Sequence, residues 1–310
     1  MFQRVATIAY ATYREAVRAR ILLGLAGVAV AAAFYSLVVG AFALREAPRV
    51  VSDFGAMTIS VFSIVVAILI GATSLYRELE LKTILPILAR PIGRGEFLIG
   101  KYLGIMLVVA VFVLAEGGLV LMMSAVLGGR SPLLSVSVGA LLAVTIVVAA
   151  WRFAPLRTSG PIPWAVAMAA AGVVLASTAP AERSLVLASS ALAFMEVAIV
   201  AGFAMLFSAF STPFLSALLT LGMFIVGRSA DSMAHLPIKT FGKALHDAGF
   251  ALSRVVPNLH VYVPARPLLT GEAVDANLLR YLSLAGVQTF GWVLGLLAVS
   301  SFVFKRRDFT

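Results

Sequence analysis

Long apolar blocks alternate with short polar breaks along this chain. Between Arg20 and Arg45 lie 24 residues without a charge, and between Asp53 and Arg77 lie 23. Residues 102–129 carry only Glu116, and no charge lies between Arg130 and Arg152. A helix needs roughly 20 residues to cross a hydrocarbon core of about 30 Å, so these blocks predict four spans. A fifth, Ala-rich block runs from Pro163 to Thr178, bounded by Pro161, Pro163 and Pro180, which suit helix ends better than interiors. Residues 184–227 then form a 44-residue run interrupted only by Glu196, too long for one crossing. Ser211-Thr212-Pro213 divides it, because the residue before a proline avoids helical geometry and proline suits a first helical turn. The second half, Pro213 to Gly227, has only 15 residues before Arg228, which either snorkels or marks a helix continuing into outer structure. Residues 281–304 supply the last span. The pattern predicts an all-α, polytopic membrane protein: one transmembrane domain over 1–310, with six core transmembrane helices plus an extra hairpin within 131–183, eight spans together.

Composition agrees, with 61% hydrophobic and 12% charged residues and a mean hydropathy of +1.04. A soluble domain carries roughly 25% charged residues. Eight spans place both termini on one side, and the basic residues choose it. With the N-terminus inside, 14 Lys and Arg fall inside and 10 outside, six of the latter in the long segment 228–280 that counts less toward orientation. The expectation is cytoplasmic termini in a bacterial inner membrane. Removing the hairpin leaves six spans and the same parity. The net charge of +10 then reflects anchoring to anionic lipid, with no nucleic-acid partner. There is no cysteine, so disulfides and thiolate metal sites are excluded.

Residues 1–20, MFQRVATIAYATYREAVRAR, place Arg14 and Arg18 at i,i+4 and gather Val5, Ile8 and Ala9, which predicts an amphipathic helix in the membrane interface. A basic tail is the alternative. The apolar block behind it is too long for a secretory signal core. Residues 77–101 form a segment of mixed charge around an apolar centre, TILPILARPI. A lipid-binding basic patch would lack its acids, whereas an apolar surface rimmed by both signs suits protein docking. Within it, Gly95–Lys101, GEFLIGK, has the spacing of a phosphate-binding loop as far as its lysine. Tyr102 stands where a hydroxyl should hold magnesium, and no strand precedes it, so nucleotide binding is rejected. Gly100 and Gly104 instead permit close helix packing.

The order Glu78, Thr83, Pro91, Arg94, Glu96, Gly100, Lys101 resembles the cytoplasmic loop of type-two ABC transporter permeases. Lys82 replaces that family's usual glycine, and Gly93 its usual serine. The leader YREAVRAR, the break FSAFSTPFLSALL, VVPNLHVY in the outer segment and the terminal FKRRDF extend the resemblance across most of the chain. The resemblance implies an interfacial elbow helix and a coupling helix after span two that docks on a separate ABC ATP-binding subunit. Its contact residues would be Glu78, Glu80, Lys82, Thr83, Arg90, Pro91, Arg94, Glu96 and Lys101, with Arg90-Pro91 stiffening the lever and the charges setting register. It also implies a homodimer or a heterodimer with a second permease. ATP and Mg would be bound by the partner, and this chain would bind no cofactor and catalyse nothing. The family usually has six spans, so 131–183 departs from it. A loop that only satisfies topology is the plain alternative.

Glu116 and Glu196 lie inside spans, where a charge is expensive. Two readings stand open: a cation, proton or substrate site, or a neutral carboxyl making one interhelical hydrogen bond. In the outer segment 228–280, His235, His246 and His260 are 11 and 14 residues apart, which fits no compact metal motif and favours structural or surface roles. DAGFALSRVVPNL there predicts a short re-entrant or interfacial helix. Three functions remain: an ABC permease subunit exporting a substrate, a secondary transporter using Glu116 and Glu196, and a non-transporting subunit that performs mechanical work on an outer partner.

Overall fold

A computed structural model describes residues 2–80, 93–272 and 277–306. These residues are overwhelmingly helical, and no strand occurs among them. The helices are α1 Phe2–Arg18, α2 Arg20–Phe42, α3 Ala47–Glu80, α4 Arg94–Leu127, α5 Pro132–Arg152, α6 Pro161–Leu175, α7 Pro180–Ser208, α8 Pro213–Ala234, α9 Ile238–Val255 and α10 Leu278–Arg306. Single helical turns at Leu156–Ser159 and Arg266–Thr270 complete the larger elements. Eight helices among the described residues are long and apolar enough to cross a membrane: α2 to α8 and α10. The eight spans expected from hydropathy are therefore present.

Proline and glycine place the helix boundaries. Pro132, Pro161, Pro180 and Pro213 each stand in the first turn of a helix, where the missing N–H costs nothing. At the break between α7 and α8, Thr212 is extended and Ser211 Oγ donates to Phe207 O at 2.8 Å. Two helices overrun their apolar blocks. α3 continues through Arg77 to Glu80, and α8 reaches Ala234, giving it 22 residues. Charged residues with good helix propensity extend a helix past the edge of the apolar block, because the ladder of backbone bonds does not depend on lipid.

The core is built on α3, α4 and α7. Both α3 and α4 have 34 residues, about 51 Å each, so they project beyond a hydrocarbon core of about 30 Å. α7 supplies an almost continuous buried run, Val197 to Met205. The hairpin α5–α6 is joined to this core unevenly. α6 crosses α4 at Gly118 and Gly172, where an added Cβ on either would lie within 2.6 Å of the other helix's backbone. Such close approach is how apolar helices associate without a hydrophobic driving force between them. α5 packs on α4 and α6 but leaves most of its surface exposed.

The crossings alternate, so α1, the ends of α3 and α10 and the start of α4 share one end of the bundle. The opposite end holds α9 and residues 256–270. There α9 packs on α8 and is kinked at Gly242, whose φ of 78° suits glycine; the helix expected over 247–259 is its second half, which begins earlier and stops at Val255. Residues 256–262 pack on α8 and α10: Gly227 lies against Leu259 and Pro257, and Tyr262 Oη shares a hydrogen bond with Thr289 Oγ1 at 2.7 Å.

Candidate functional site

Three places in the structure concentrate chemistry. The first is the end that carries α1. Gly100 and Gly104 form a notch on α4, and α1 lies in it: a Cβ on Gly100 would meet Ile8 at 2.7 Å, and one on Gly104 would meet Ala9 O at 2.6 Å. The partner of these glycines is thus the N-terminal amphipathic helix. Lys101 is buried beside them, with Nζ 3.7 Å from Glu15. One helical turn earlier, Phe97 stacks on Phe304 of α10 with ring centroids 6.3 Å apart, and Arg94 donates to Phe304 O at 3.4 Å. Both ends of the chain therefore grip the first two turns of α4.

The residues expected to contact an ATPase are distributed over this end. Glu78 and Glu80 belong to the last turn of α3, and Arg94 and Glu96 to the first turn of α4, so the segment expected as a loop over 77–101 is helical at both edges. Lys82, Thr83, Arg90 and Pro91 lie outside the described residues. Lys101, held beneath α1, is a packing residue in this structure and not an exposed contact. Glu96, the one acid in the first turn of α4, suits the positive end of the helix dipole.

The second place is a buried ion pair. Glu196 on α7 is fully buried and accepts from Arg228 of α8 in bidentate fashion, Nε to Oε1 at 2.6 Å and Nη2 to Oε2 at 2.8 Å. Ser60 of α3 accepts a further bond from Arg228 at 3.2 Å. Glu196 is thus neither a free ion site nor a lone carboxyl, and of the two readings of Arg228 the continuing helix is the one present: α8 runs on to Ala234 and the arginine turns inward. The signal was present in the sequence, since opposite lone charges sat on adjacent spans, but their heights could not be compared without the true length of α8. A further tie that sequence reasoning missed joins Arg266 to Asp53 of α3 and, at 3.6 Å, to Glu182 of α7. Both arginines border a cavity of about 670 Å³.

The third place is Glu116, which lies on α4 two residues from the Gly118 crossing. It is 4% exposed, and neither carboxylate oxygen has a hydrogen-bond partner among the described residues. The Thr58 hydroxyl on α3 stands beside the Glu116 carboxyl as its polar neighbour, and within its own helix it donates to Gly55 O at 2.8 Å. The histidines do not converge: His235 bonds to Asp231 O at 2.9 Å, His246 to Leu236 O at 2.8 Å, and the His260 backbone N–H to Asn258 at 3.0 Å. No group of three or more metal-ligating side chains occurs among the described residues.

Comparison with curated proteins finds no match to the chain. The family model for ABC-2 family transporter proteins matches residues 6–309, nearly the whole length and all eight apolar helices. The chain belongs to that family, as a membrane-spanning permease subunit of an ABC transporter.

Proposed function

We propose that this permease couples ATP hydrolysis on a separate ATP-binding subunit to export of a substrate. The ATPase docks on the end that carries α1, and that end faces the cytoplasm of a bacterial inner membrane. A second permease, identical or different, completes the transporter. The observation that carries this reading is the clamp on α4. A push on the segment after α3 would reach a helix whose first two turns are held by α1 and by the end of α10, so it would move the core instead of bending a free end. The step is a population shift: a closed ATPase dimer favours one packing of the spans over another, by as much as its contacts differ between them. Glu78, Glu80, Lys82, Thr83, Arg90, Pro91, Arg94 and Glu96 are the proposed contacts, with Lys101 acting through its packing under α1. The pairing of Glu196 with Arg228 removes one of the two carboxylates that a secondary transporter would have used.

The test is co-purification in detergent of the tagged chain with co-expressed ABC ATP-binding subunits from the same genome, wild type against a Glu78→Ala, Glu80→Ala, Arg94→Ala variant. Loss of the ATPase from a variant that elutes as the wild type does on size exclusion is the expected outcome. A wild-type chain that retains no ATPase would sink the reading.

A further inference from the structure

The cavity of about 670 Å³ bordered by Arg228 and Arg266 is a groove between α3 and α8, with α7 behind it and residues 260–269 across the end opposite α1. One face of α3 lines it from Asp53 to Ile68, about 22 Å along the helix axis. Polarity changes in order along that length. Asp53 stands near the start of α3, at the membrane surface. Arg266, shared between Asp53 Oδ1 and Glu182, leaves Asp53 Oδ2 open, and Arg49 is 4.0 Å from that oxygen, beyond hydrogen-bond range. Seven residues deeper, about 10 Å along α3, Arg228 reaches Ser60. Its Nε and Nη2 are spent on Glu196 and Ser60, but Nη1 has no hydrogen-bond partner among the described residues. Below Ser60 the two helices offer only apolar side chains: Val61, Ile64, Val65 and Ile68 of α3, Leu221 and Phe224 of α8. The charged tips are not sealed, since the Asp53 side chain is 46% exposed and that of Arg228 27%. Met57, Val61 and Leu221 are exposed along the same groove, so it opens sideways toward lipid.

We infer that this groove binds a zwitterionic phospholipid with an ammonium head, of the phosphatidylethanolamine class. From mid-membrane to surface, the wall is apolar, then a guanidinium with an open nitrogen, then a carboxylate with an open oxygen. Along the same direction, such a lipid is acyl chain, phosphate, ammonium. Each group meets its complement: the chain on Ile64 and Ile68, the phosphate on Arg228 Nη1, the ammonium on Asp53 Oδ2. The last two contacts are charge-assisted hydrogen bonds, the strong kind. Other amphiphiles fit one tier only. An anionic lipid without an amine answers Arg228 and leaves Asp53 facing its head, whereas a cationic one meets the guanidinium before it reaches the carboxylate. Glu196 does not compete with the phosphate, because its bidentate grip on Nε and Nη2 leaves Nη1 on the other edge of the guanidinium. Phe224 lies 5.5 Å from the guanidinium carbon and helps to fix that plane.

Transport of the bound lipid would rest on the coupling reading; its binding does not, so the test omits the ATPase. The full chain, delipidated in a neutral detergent, is titrated with dioleoyl phosphatidylethanolamine, dioleoyl phosphatidylglycerol or dioleoylglycerol, and retained lipid is read by native mass spectrometry. Saturable binding of phosphatidylethanolamine to the wild type is expected. Phosphatidylglycerol should bind at least about tenfold more weakly, the loss of one charge-assisted hydrogen bond, and dioleoylglycerol more weakly still. Asp53→Asn loses the carboxylate for the amine and keeps the phosphate contact, so it is expected to bind the two phospholipids alike. Arg228→Lys keeps a cation on Glu196 but has no Nη1, and is expected to lose the preference for phospholipid over dioleoylglycerol. A general loosening of the fold would weaken all three lipids together and leave the preferences intact. The assignment is overturned by no saturable binding to the wild type, by phosphatidylglycerol or dioleoylglycerol binding as tightly as phosphatidylethanolamine, or by preferences undiminished in the two variants. ATPase co-purification is untouched by any of these results, so failure here and failure of the coupling reading are separate events.

Discussion

Glu116 and Glu196 are the same residue type at similar burial inside neighbouring helices, and the structure treats them oppositely. Glu196 sits where α3, α7 and α8 meet, and it is answered on both oxygens by an arginine that also reaches Ser60. Glu116 sits on α4 near its crossing with the hairpin, and its polar neighbour is the Thr58 hydroxyl of α3, not a cation. A buried charge in a membrane is therefore not one kind of evidence. Where a charged partner is fixed in the fold, the pair ties helices in register; where none is, the carboxyl is sealed in the packing beside a hydroxyl. The ion pair still carries a desolvation cost, so its role is read from geometry and not from an assumed gain in stability.

Removing Arg228 breaks the comparison most sharply. Arg228→Leu leaves Glu196 buried with only the long 3.5 Å bond from Ser60 and is expected to cost about 3–5 kcal/mol, measured by thermal or denaturant unfolding in detergent. The double variant Glu196→Leu, Arg228→Leu is expected to recover most of that loss, because the pair is replaced by apolar side chains in an apolar layer. A double variant as unstable as the single one would show that the pair is not the reason. Next in size is Gly104→Leu, which drives a side chain into the backbone of Ala9. Overpacking of this kind costs about 1–3 kcal/mol. Here the readout is faster tryptic cleavage at Arg18 and Arg20 as α1 lifts from α4, and unchanged cleavage would contradict the notch. Arg266→Gln loosens the tie between α3 and α7 at the opposite end. Asp53 is nearly half exposed, so the expected loss is only about 1 kcal/mol in the same unfolding assay. Smallest is Glu116→Gln, which removes no ion pair and leaves an amide oxygen beside the Thr58 hydroxyl. Its stability should stay within about 0.5 kcal/mol of wild type in the same unfolding assay, the usual range for isosteric changes away from an ion pair. A large destabilisation by Glu116→Gln would place it with Glu196.

Contact between α1 and α4 was half legible. The sequence displayed both an amphipathic leader and a pair of glycines four residues apart, but nothing in either stretch said that they meet, because their separation along the chain is about ninety residues and helix periodicity is a local signal. The grip of Phe304 on Phe97 was invisible for the same reason. So was Arg266 on Asp53 and Glu182. Of the proposed ATPase contacts, Glu78, Glu80, Arg94 and Glu96 share the expected end of the bundle, while Lys101 is withdrawn beneath α1. A lysine next to a glycine notch is covered by whatever fills the notch, and only the packed structure identifies the filler.

By itself, the sequence determined that this is an eight-span helical membrane protein, where its helices break, and which family it resembles. These are properties of local hydrophobicity, proline stereochemistry and residue order, all of which act over fewer residues than a single span. Tertiary structure alone decided which buried carboxylate has an ionic partner, what lies in the glycine notch, and where a cavity remains between α3 and α8. Those outcomes depend on the rotation and relative height of separate helices. Inside a bilayer, rotation and height are chosen by the closest packing of small residues and by the pairing of rare polar ones, and neither is written in the hydropathy of any one helix.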